Sequence, residues 1–299
     1  MKVVSPSKKV LITGIDGFTG AYIEELLKDD GYDVYGLSFP ECNKPNHIRC
    51  DITNQDEIEA ALKSVAPDYI IHLAAISFVP HSAVSQIYDV NLFGTLNLLD
   101  AVIKLGRRVK KVVIASSANV YGRPPVEQLT ESVCPAPVNH YANSKLAMEH
   151  MVKTYFDKLN IIITRPFNYT GKGQAEHFLI PKIVSHYIRG DKEIELGNLD
   201  VIRDFSDVRF VSSAYIKLME SERKSEIVNI CSGVGVSLMS VINTMDELAG
   251  YNISVKVNPD FVRENEIKKL IGSNEKLNTM ISGLKKYPID EILKNMYDS

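Results

Sequence analysis

Short apolar runs alternate along this chain with longer segments whose apolar residues recur every three or four positions. Val10-Leu11-Ile12 is the first run and predicts a buried parallel strand. Glycines follow at 14, 17 and 20, then a helical pattern with Ile23, Leu26 and Leu27 on one face and Gly31 as a stop. Asp33-Val-Tyr-Gly-Leu37 reads as a second strand, and Cys50-Asp51-Ile52-Thr53 ends another extended stretch. The next helix carries Ile58, Ala61, Leu62 and Val65 on its apolar face, with Thr53 as the expected cap and Asp56 three residues on. Asp68-Tyr-Ile-Ile-His-Leu-Ala-Ala75 is a strongly apolar strand that ends in small residues. Residues 84–105 show a long helical pattern through Ile87, Val90, Leu98, Leu99, Val102 and Ile103. Asn91 and Gly94 interrupt it, and both are poor in a helix interior. They are either a tolerated exposed pair or a place of close backbone packing near a ligand.

Val112-Val-Ile-Ala115 is a further strand, running out into Ser116 and Ser117. A helix opens at Tyr141, with Leu146, Met151, Val152, Tyr155 and Leu159 among its apolar positions. Ile161-Ile-Ile-Thr-Arg165 is another core strand, and Pro166 turns the chain away. From Asn168 to Gly197 the strand–helix beat is lost, as a smaller lobe would show, and Ile227-Val-Asn-Ile-Cys231 is placed to return to the main sheet. The pattern predicts an α/β protein: a Rossmann-like, doubly wound parallel sheet with a smaller C-terminal substrate-binding lobe. The expected division is a nucleotide-binding domain over 1–166, with a returning segment near 201–235, and a mainly substrate lobe over 167–299.

Composition narrows this picture. The chain has 299 residues, 45% hydrophobic and 24% charged, enough for a sizeable core. The net charge of -3 gives no nucleic-acid surface. The densest basic cluster, Arg107, Arg108, Lys110 and Lys111, is expected to be a solvated edge. The four cysteines, Cys42, Cys50, Cys134 and Cys231, form no C-x-x-C pair, and no histidine spacing completes a metal site. Isolated cysteines fit a reducing cytoplasm. The first eight residues lack the apolar core of a signal peptide, and no run approaches the ~20 apolar residues of a membrane span.

Strand, glycine turn and helix start together suit a pyrophosphate: the backbone can approach the ligand, and the first-turn N–H groups point at the anion. The spacing is G-x-x-G-x-x-G, a variant of the dinucleotide fingerprint. Where an acid on the second strand would hold the adenosine ribose, this chain has Leu37-Ser38-Phe39, with neither acid nor arginine. The missing acid tilts the expectation from NADH toward NADPH, although Lys44 and Arg49 lie too far along to be assigned to a 2′-phosphate. Asp51 is open to two readings, an acceptor for the adenine amino group or a simple loop carboxylate. His72, inside its strand, is expected to be structural. Tyr141 and Lys145 are four apart and share a helix face. A nearby ammonium lowers the phenol from its usual ~10, and makes it a usable proton donor to a ketone. Ser117 can hydrogen-bond the same oxygen. A lone Y-x-x-x-K is common by chance; here it follows the glycine turn and the Ser-Ser strand end in order.

The segments TGIDGFTG, SSANVYG and YANSK resemble the extended short-chain dehydrogenase/reductase family over nearly the whole chain. HLAAISFVP, VNLFGTLNLLDAV, TRPFNYTGKGQ, GNLDVIRDFSDVR and PDFVRENEIKKLIGSN are most similar to its GDP-6-deoxy-D-mannose reductases, which act on a GDP-linked 4-keto-6-deoxy sugar. The resemblance implies Ser117, Tyr141 and Lys145 as the catalytic set. It implies Gly14, Gly17, Phe18 and Gly20 around the pyrophosphate of NADPH or NADH, and Asp51 and Ile52 at the adenine. Leu73, Ala74 and Ala75 would pass under the cofactor, with Asn91, Ser116 and Phe167 also lining it and Lys145 on the nicotinamide ribose. Ser77, Ser117, Asn119, Asn168 and Lys182 would meet the sugar nucleotide, Arg203 and Arg263 its phosphates, and Glu266 a ribose hydroxyl. A guanidinium forks onto paired oxygens; charge alone would instead pair these arginines with Asp204, Glu264 or Glu266. Two positions depart from the family: Lys172 replaces a common proline, and the second strand lacks the basic residue of some NADP-binding members.

Similar dehydratases place an acid just after the catalytic Ser or Thr, where this chain has Ala118 and Asn119, so dehydration is not expected. A 4-ketoreductase giving GDP-D-rhamnose or GDP-6-deoxy-D-talose is expected; a 4-epimerase and a non-catalytic NAD(P) sensor are the alternatives. The resemblance implies a homodimer, since relatives often dimerise through the helices near 84–105 and 141–159.

Overall fold

The computed structural model describes residues 7–40, 44–77, 84–262 and 267–298. In chain order its elements begin β1 (Lys9–Thr13), α1 (Phe18–Asp29), β2 (Asp33–Ser38), β3 (His47–Arg49), α2 (Gln55–Val65) and β4 (Tyr69–His72). Next come α3 (Val84–Tyr88), α4 (Thr95–Lys104), β5 (Lys111–Ala115), α5 (His140–Lys153), β6 (Ile161–Pro166), β7 (Asn168–Thr170), α6 (Leu179–Ile188), β8 (Glu193–Leu196) and β9 (Ile202–Asp207). The remainder are α7 (Val208–Glu220), β10 (Glu226–Ile230), β11 (Gly235–Ser237), α8 (Leu238–Ala249), β12 (Ser254–Val257), β13 (Lys269–Leu270), α9 (Glu275–Met280) and α10 (Ile289–Tyr297).

The apolar runs became the central strands. Seven strands form one sheet in the order β10-β6-β5-β4-β1-β2-β3, and β1 pairs in parallel with β2 on one side and β4 on the other. Val10, Leu11, Ile12, Ile70, Ile71, Val113, Ile114 and Ile162 are fully or almost fully buried, as strands covered on both faces require. The strand order reverses at β1, so the carboxyl ends of β1 and β4 form the switch point where sheets of this class take ligands.

The described residues divide into two compact units. The first takes Met1–Val120, Pro137–Arg165 and Ser212–Val228; the second takes Tyr121–Ala136, Pro166–Val211 and Asn229–Ser299. The segment that returns to the first unit is 212–228. It is tied down by hydrogen bonds from Thr164 Oγ1 to Tyr215 Oη (2.8 Å) and from Ser225 Oγ to the Phe156 carbonyl (3.1 Å). Residues 121–136 leave the first unit because Leu129 donates to Ile271 O (2.9 Å) and accepts from Ser273 N (2.8 Å). Tyr121 Oη also donates to Asn229 Oδ1 (2.7 Å).

Three local expectations change in the first unit. The cap of α2 is Asn54, whose side chain accepts from the N–H groups of Asp56 and Glu57; Thr53 instead donates its hydroxyl to Asp51 Oδ1 (2.7 Å). The long pattern at 84–105 breaks into α3 and α4, joined by a π-helical turn over Asp89–Gly94 that holds both interrupting residues. Close packing decides Gly94, where a Cβ would stand 2.8 Å from the Ile52 side chain. Within the basic cluster, Arg107 and Lys110 are exposed and face Asp68, each at 3.5 Å. Lys111 is buried: Nζ donates to the carbonyls of Leu218 and Ser221, and burial lowers its pKa to about 8.

In the second unit β9 pairs with β7, β11 and β13, and β8 pairs with β12. Its core is Ile183, Val184, Leu196, Phe205, Val241, Met245, Ile292 and Leu293, contributed by α6, β8, β9, α8 and α10. Among the described residues no helix is long and apolar enough to cross a membrane, and no group of His, Cys, Asp and Glu could hold a metal ion.

Candidate active site

β1 ends at Thr13, and the chain turns through Gly14 at φ +70°. A Cβ on Gly14 would stand 2.9 Å from the Ala74 nitrogen, so the ends of β1 and β4 meet backbone to backbone. A Cβ on Gly20 would stand 2.5 Å from the Ile15 carbonyl oxygen. Gly17 is different: outside its own helix a Cβ would meet the Gly14 carbonyl oxygen at 3.1 Å and nothing else within 4 Å. Gly17 also caps α1 with no side-chain acceptor, so the positive end of the helix faces that opening. The turn therefore fits a dinucleotide pyrophosphate.

Behind the turn lies a directed chain of hydrogen bonds. Thr95 Oγ1 donates to the Asn91 carbonyl (2.8 Å), so it accepts from His72 Nε2 (2.9 Å). Nδ1 of His72 then accepts from Thr13 Oγ1 (2.6 Å), which itself accepts from the Ala74 N–H (3.1 Å). His72 is neutral and structural, as expected; burial, reinforced by the charge of Lys145, lowers its pKa to about 3. Asn91, fully buried, clamps the loop after β4 to α5: it exchanges hydrogen bonds with the Ile76 backbone (2.8 and 3.0 Å) and donates to Ser144 Oγ (3.0 Å). Ser144 Oγ donates in turn to the Tyr141 carbonyl (2.8 Å).

α5 carries the candidate catalytic pair. Asn139 caps it by accepting from Ala142 N, which fixes the first turn and Tyr141 within it. One turn on, Lys145 is 3% exposed and its Nζ donates to the Ala115 carbonyl at the end of β5 (2.7 Å). Burial lowers its pKa to about 8, against the opposing pull of the Glu149 charge. Glu149, a further turn along, is itself buried in a bidentate pair with Arg165 (2.9 and 2.6 Å) and accepts from Ser116 Oγ (2.5 Å). Ser117, beside Ser116, is 8% exposed, and its Oγ accepts from the Asn119 N–H (3.2 Å). The carboxyl end of β5 is thereby bolted to α5 by two contacts, with Ser117 on one element and Tyr141 and Lys145 on the other. An ammonium, a phenol and a hydroxyl on such a frame can hold or deliver a proton at a carbonyl oxygen.

The other expected residues lie as follows. Asp51 accepts from Thr53, and Ile52 is buried beside Gly94. Leu73 to Ala75 follow β4, and Ser77 is exposed in the loop beyond. Phe18 opens α1, with its ring 5.7 Å from that of Tyr22. In the second unit Phe167 is buried and donates its N–H to the Ile230 carbonyl (2.9 Å), while Asn168 is exposed on β7. Lys182 Nζ donates to the Glu195 carbonyl (2.8 Å) and lies 4.3 Å from the Phe261 ring centroid. Arg203 donates to the carbonyls of Ile202 (2.9 Å) and Lys268 (3.3 Å). Asp204 is not its partner: that carboxylate is buried and accepts from Ser232 and Gly233. Arg263, Glu264 and Glu266 lie outside the described residues, as does Cys42. Sequence reasoning missed Glu149, Arg165 and Ser144; only the four-residue step from Lys145 to Glu149 signalled any of them.

Comparison with known proteins identifies the family. The profile of the GDP-mannose 4,6 dehydratase family matches residues 11–296. The chain is 37% identical to GDP-6-deoxy-D-talose 4-dehydrogenase of Aggregatibacter actinomycetemcomitans, covering 97% of both chains. It is 30% identical to GDP-6-deoxy-D-mannose reductase of Pseudomonas aeruginosa, covering 91% of this chain and 90% of that one. Among solved structures, a putative epimerase from Burkholderia cenocepacia superposes with a TM-score of 0.93 at 45% identity over 98% of both chains. RMD from Pseudomonas aeruginosa, complexed with NADPH, gives 0.86 at 28% identity over 98% of both. A glycine turn open to a pyrophosphate and a Tyr-Lys helix bolted to the β5 end, in a chain matched along its length, make this protein a member of the GDP-mannose 4,6-dehydratase-like family of NAD(P)-dependent short-chain oxidoreductases.

Proposed function

We propose that this chain is a nucleotide-sugar 4-ketoreductase that reduces GDP-4-keto-6-deoxy-D-mannose to GDP-D-rhamnose or GDP-6-deoxy-D-talose. The observation that carries the reading is the buried Lys145, held between the Ala115 carbonyl and the Glu149 charge one turn after Tyr141. The names of the two curated relatives, a GDP-6-deoxy-D-talose dehydrogenase and a GDP-6-deoxy-D-mannose reductase, support the GDP sugar.

The glycine turn at Gly14, Gly17 and Gly20 would hold the dinucleotide, whose reduced nicotinamide would supply the hydride for the carbonyl carbon. Tyr141 gives its phenolic proton to O4 as negative charge develops there. Ser117 donates a hydrogen bond to the same oxygen. Lys145 stabilises the phenolate that Tyr141 leaves behind, and Glu149 keeps that ammonium charged in a buried place. Asn168, Lys182 and Arg203 hold the sugar nucleotide in this proposal, joined by Ser77, Asn119, Arg263 and Glu266. Ala118 and Asn119 offer no carboxylate for removing water from the sugar. We also propose a homodimer in a reducing cytoplasm, supported by the exposed Phe93 and Met151 and by the free thiols of Cys50, Cys134 and Cys231.

Mixing the protein with NADH or NADPH and the keto sugar tests the reading. The reduced-cofactor absorbance falls with the wild type, and Tyr141→Phe slows this by about 10²–10⁴-fold with little change in cofactor affinity. Undiminished reduction by Tyr141→Phe would refute the assignment. An epimerase, the reading that the Burkholderia relative's name favours, would interconvert nucleotide sugars with no net cofactor consumption.

A further inference from the structure

We infer that Asp16, in the glycine turn, reads the adenosine ribose of the cofactor and turns the choice between the two dinucleotides toward NADH. The ribose hydroxyls of a dinucleotide lie at the carboxyl end of the second strand, where an acid accepts from the 2′-OH. β2 ends in Leu37-Ser38 and supplies none. The fold brings a carboxylate to that place from another direction. Ser38, 3% exposed, donates its hydroxyl to Asp16 Oδ2. The other oxygen of Asp16 faces His47 Nδ1 at 3.3 Å and Lys44 Nζ at 3.6 Å. His47 is fixed in turn, its buried ring lying 3.0 Å from Glu24 Oε1 on α1. Asp16 is thus oriented by Ser38 and His47, yet its side chain keeps 38% of its surface open to a ligand.

A carboxylate in this position accepts hydrogen bonds from the ribose hydroxyls. A 2′-phosphate would set a dianion against it, which like-charge repulsion disfavours. The neighbouring basic side chains do not reverse the sign. Lys44 and His47 already face Asp16, and Arg49 is engaged with Glu57 (3.4 Å) and the Phe39 ring (5.5 Å to its centroid). The absence of an acid on β2, which taken alone tilts toward NADPH, is compensated by an acid 22 residues earlier.

The inference rests on dinucleotide binding by the glycine turn and not on the identity of the sugar, so its test uses binding alone. Calorimetric titration of the wild type with NADH and NADPH is expected to give a preference for NADH of at least about tenfold. Adenosine 2′,5′-bisphosphate is expected to displace bound NADH less well than 5′-AMP. Asp16→Asn, which keeps the shape and removes the charge, is expected to narrow the NADH/NADPH ratio to within about threefold. Equal or tighter NADPH binding by the wild type would overturn the inference, as would an unchanged ratio in a folded Asp16→Asn. Should that variant fail to fold, the displacement by the two adenosine phosphates decides with the wild type alone. Loss of the ketoreductase reading would leave all these outcomes unaffected.

Discussion

An ammonium kept out of water holds its proton less tightly than a solvated one, and Lys145 is such a group. Burial brings its pKa to about 8, while the charge of Glu149 acts to raise it. His72 faces it as a neutral ring, and Arg165 reaches it only through Glu149. If the proton on Lys145 sustains Tyr141, reduction runs fully below that pKa and declines as pH rises through about 8. Glu149→Gln removes the charge that opposes burial, so the decline moves to lower pH, and Glu149→Asp is expected to restore part of the shift. A kcat profile whose alkaline limb is the same in wild type and Glu149→Gln would remove Glu149 from this role. The Tyr141–Lys145 pair was legible in the chain from its spacing. Glu149, Arg165 and Asp16 were not, because each acts through a partner brought near by folding: Arg165 lies 16 residues from Glu149, and Ser38 lies 22 from Asp16.

Elements follow the pattern of apolar residues closely and their ends less closely. α2 was legible from Ile58, Ala61, Leu62 and Val65, all buried. Its cap was not, since Thr53 and Asn54 are both good cap residues and the choice depends on Asp51 claiming the Thr53 hydroxyl. Asn54→Ala is therefore expected to cost about 1 kcal/mol of stability in chemical denaturation. Thr53→Ala leaves the two cap bonds intact and is expected to cost less; equal losses would contradict this assignment of the cap. Asn91 and Gly94 announced a disturbance in the 84–105 pattern without revealing its form. A π-helical turn answers both residues, letting Asn91 bond to Ile76 and Ser144 while Gly94 packs on Ile52. Such turns recur at functional sites.

For the molecule as a whole, the parallel sheet and its switch point were readable from the beat of strand and helix, and the division of the chain less so. Residues 121–136 carry no regular element beyond the turn that ends at Tyr121, and their membership in the second unit comes from backbone bonds to residues 271 and 273. The proposed reaction delivers a hydride to C4 of a GDP-linked 4-keto-6-deoxy sugar. Reduction with cofactor carrying deuterium at the transferable C4 position of the nicotinamide, followed by NMR of the sugar product, measures that step itself. A single deuterium at C4 of the 6-deoxyhexose is expected, and the stereochemistry there identifies the product as GDP-D-rhamnose or GDP-6-deoxy-D-talose. A product with hydrogen alone at C4, or no product while the keto sugar and cofactor persist, would contradict the proposed reaction.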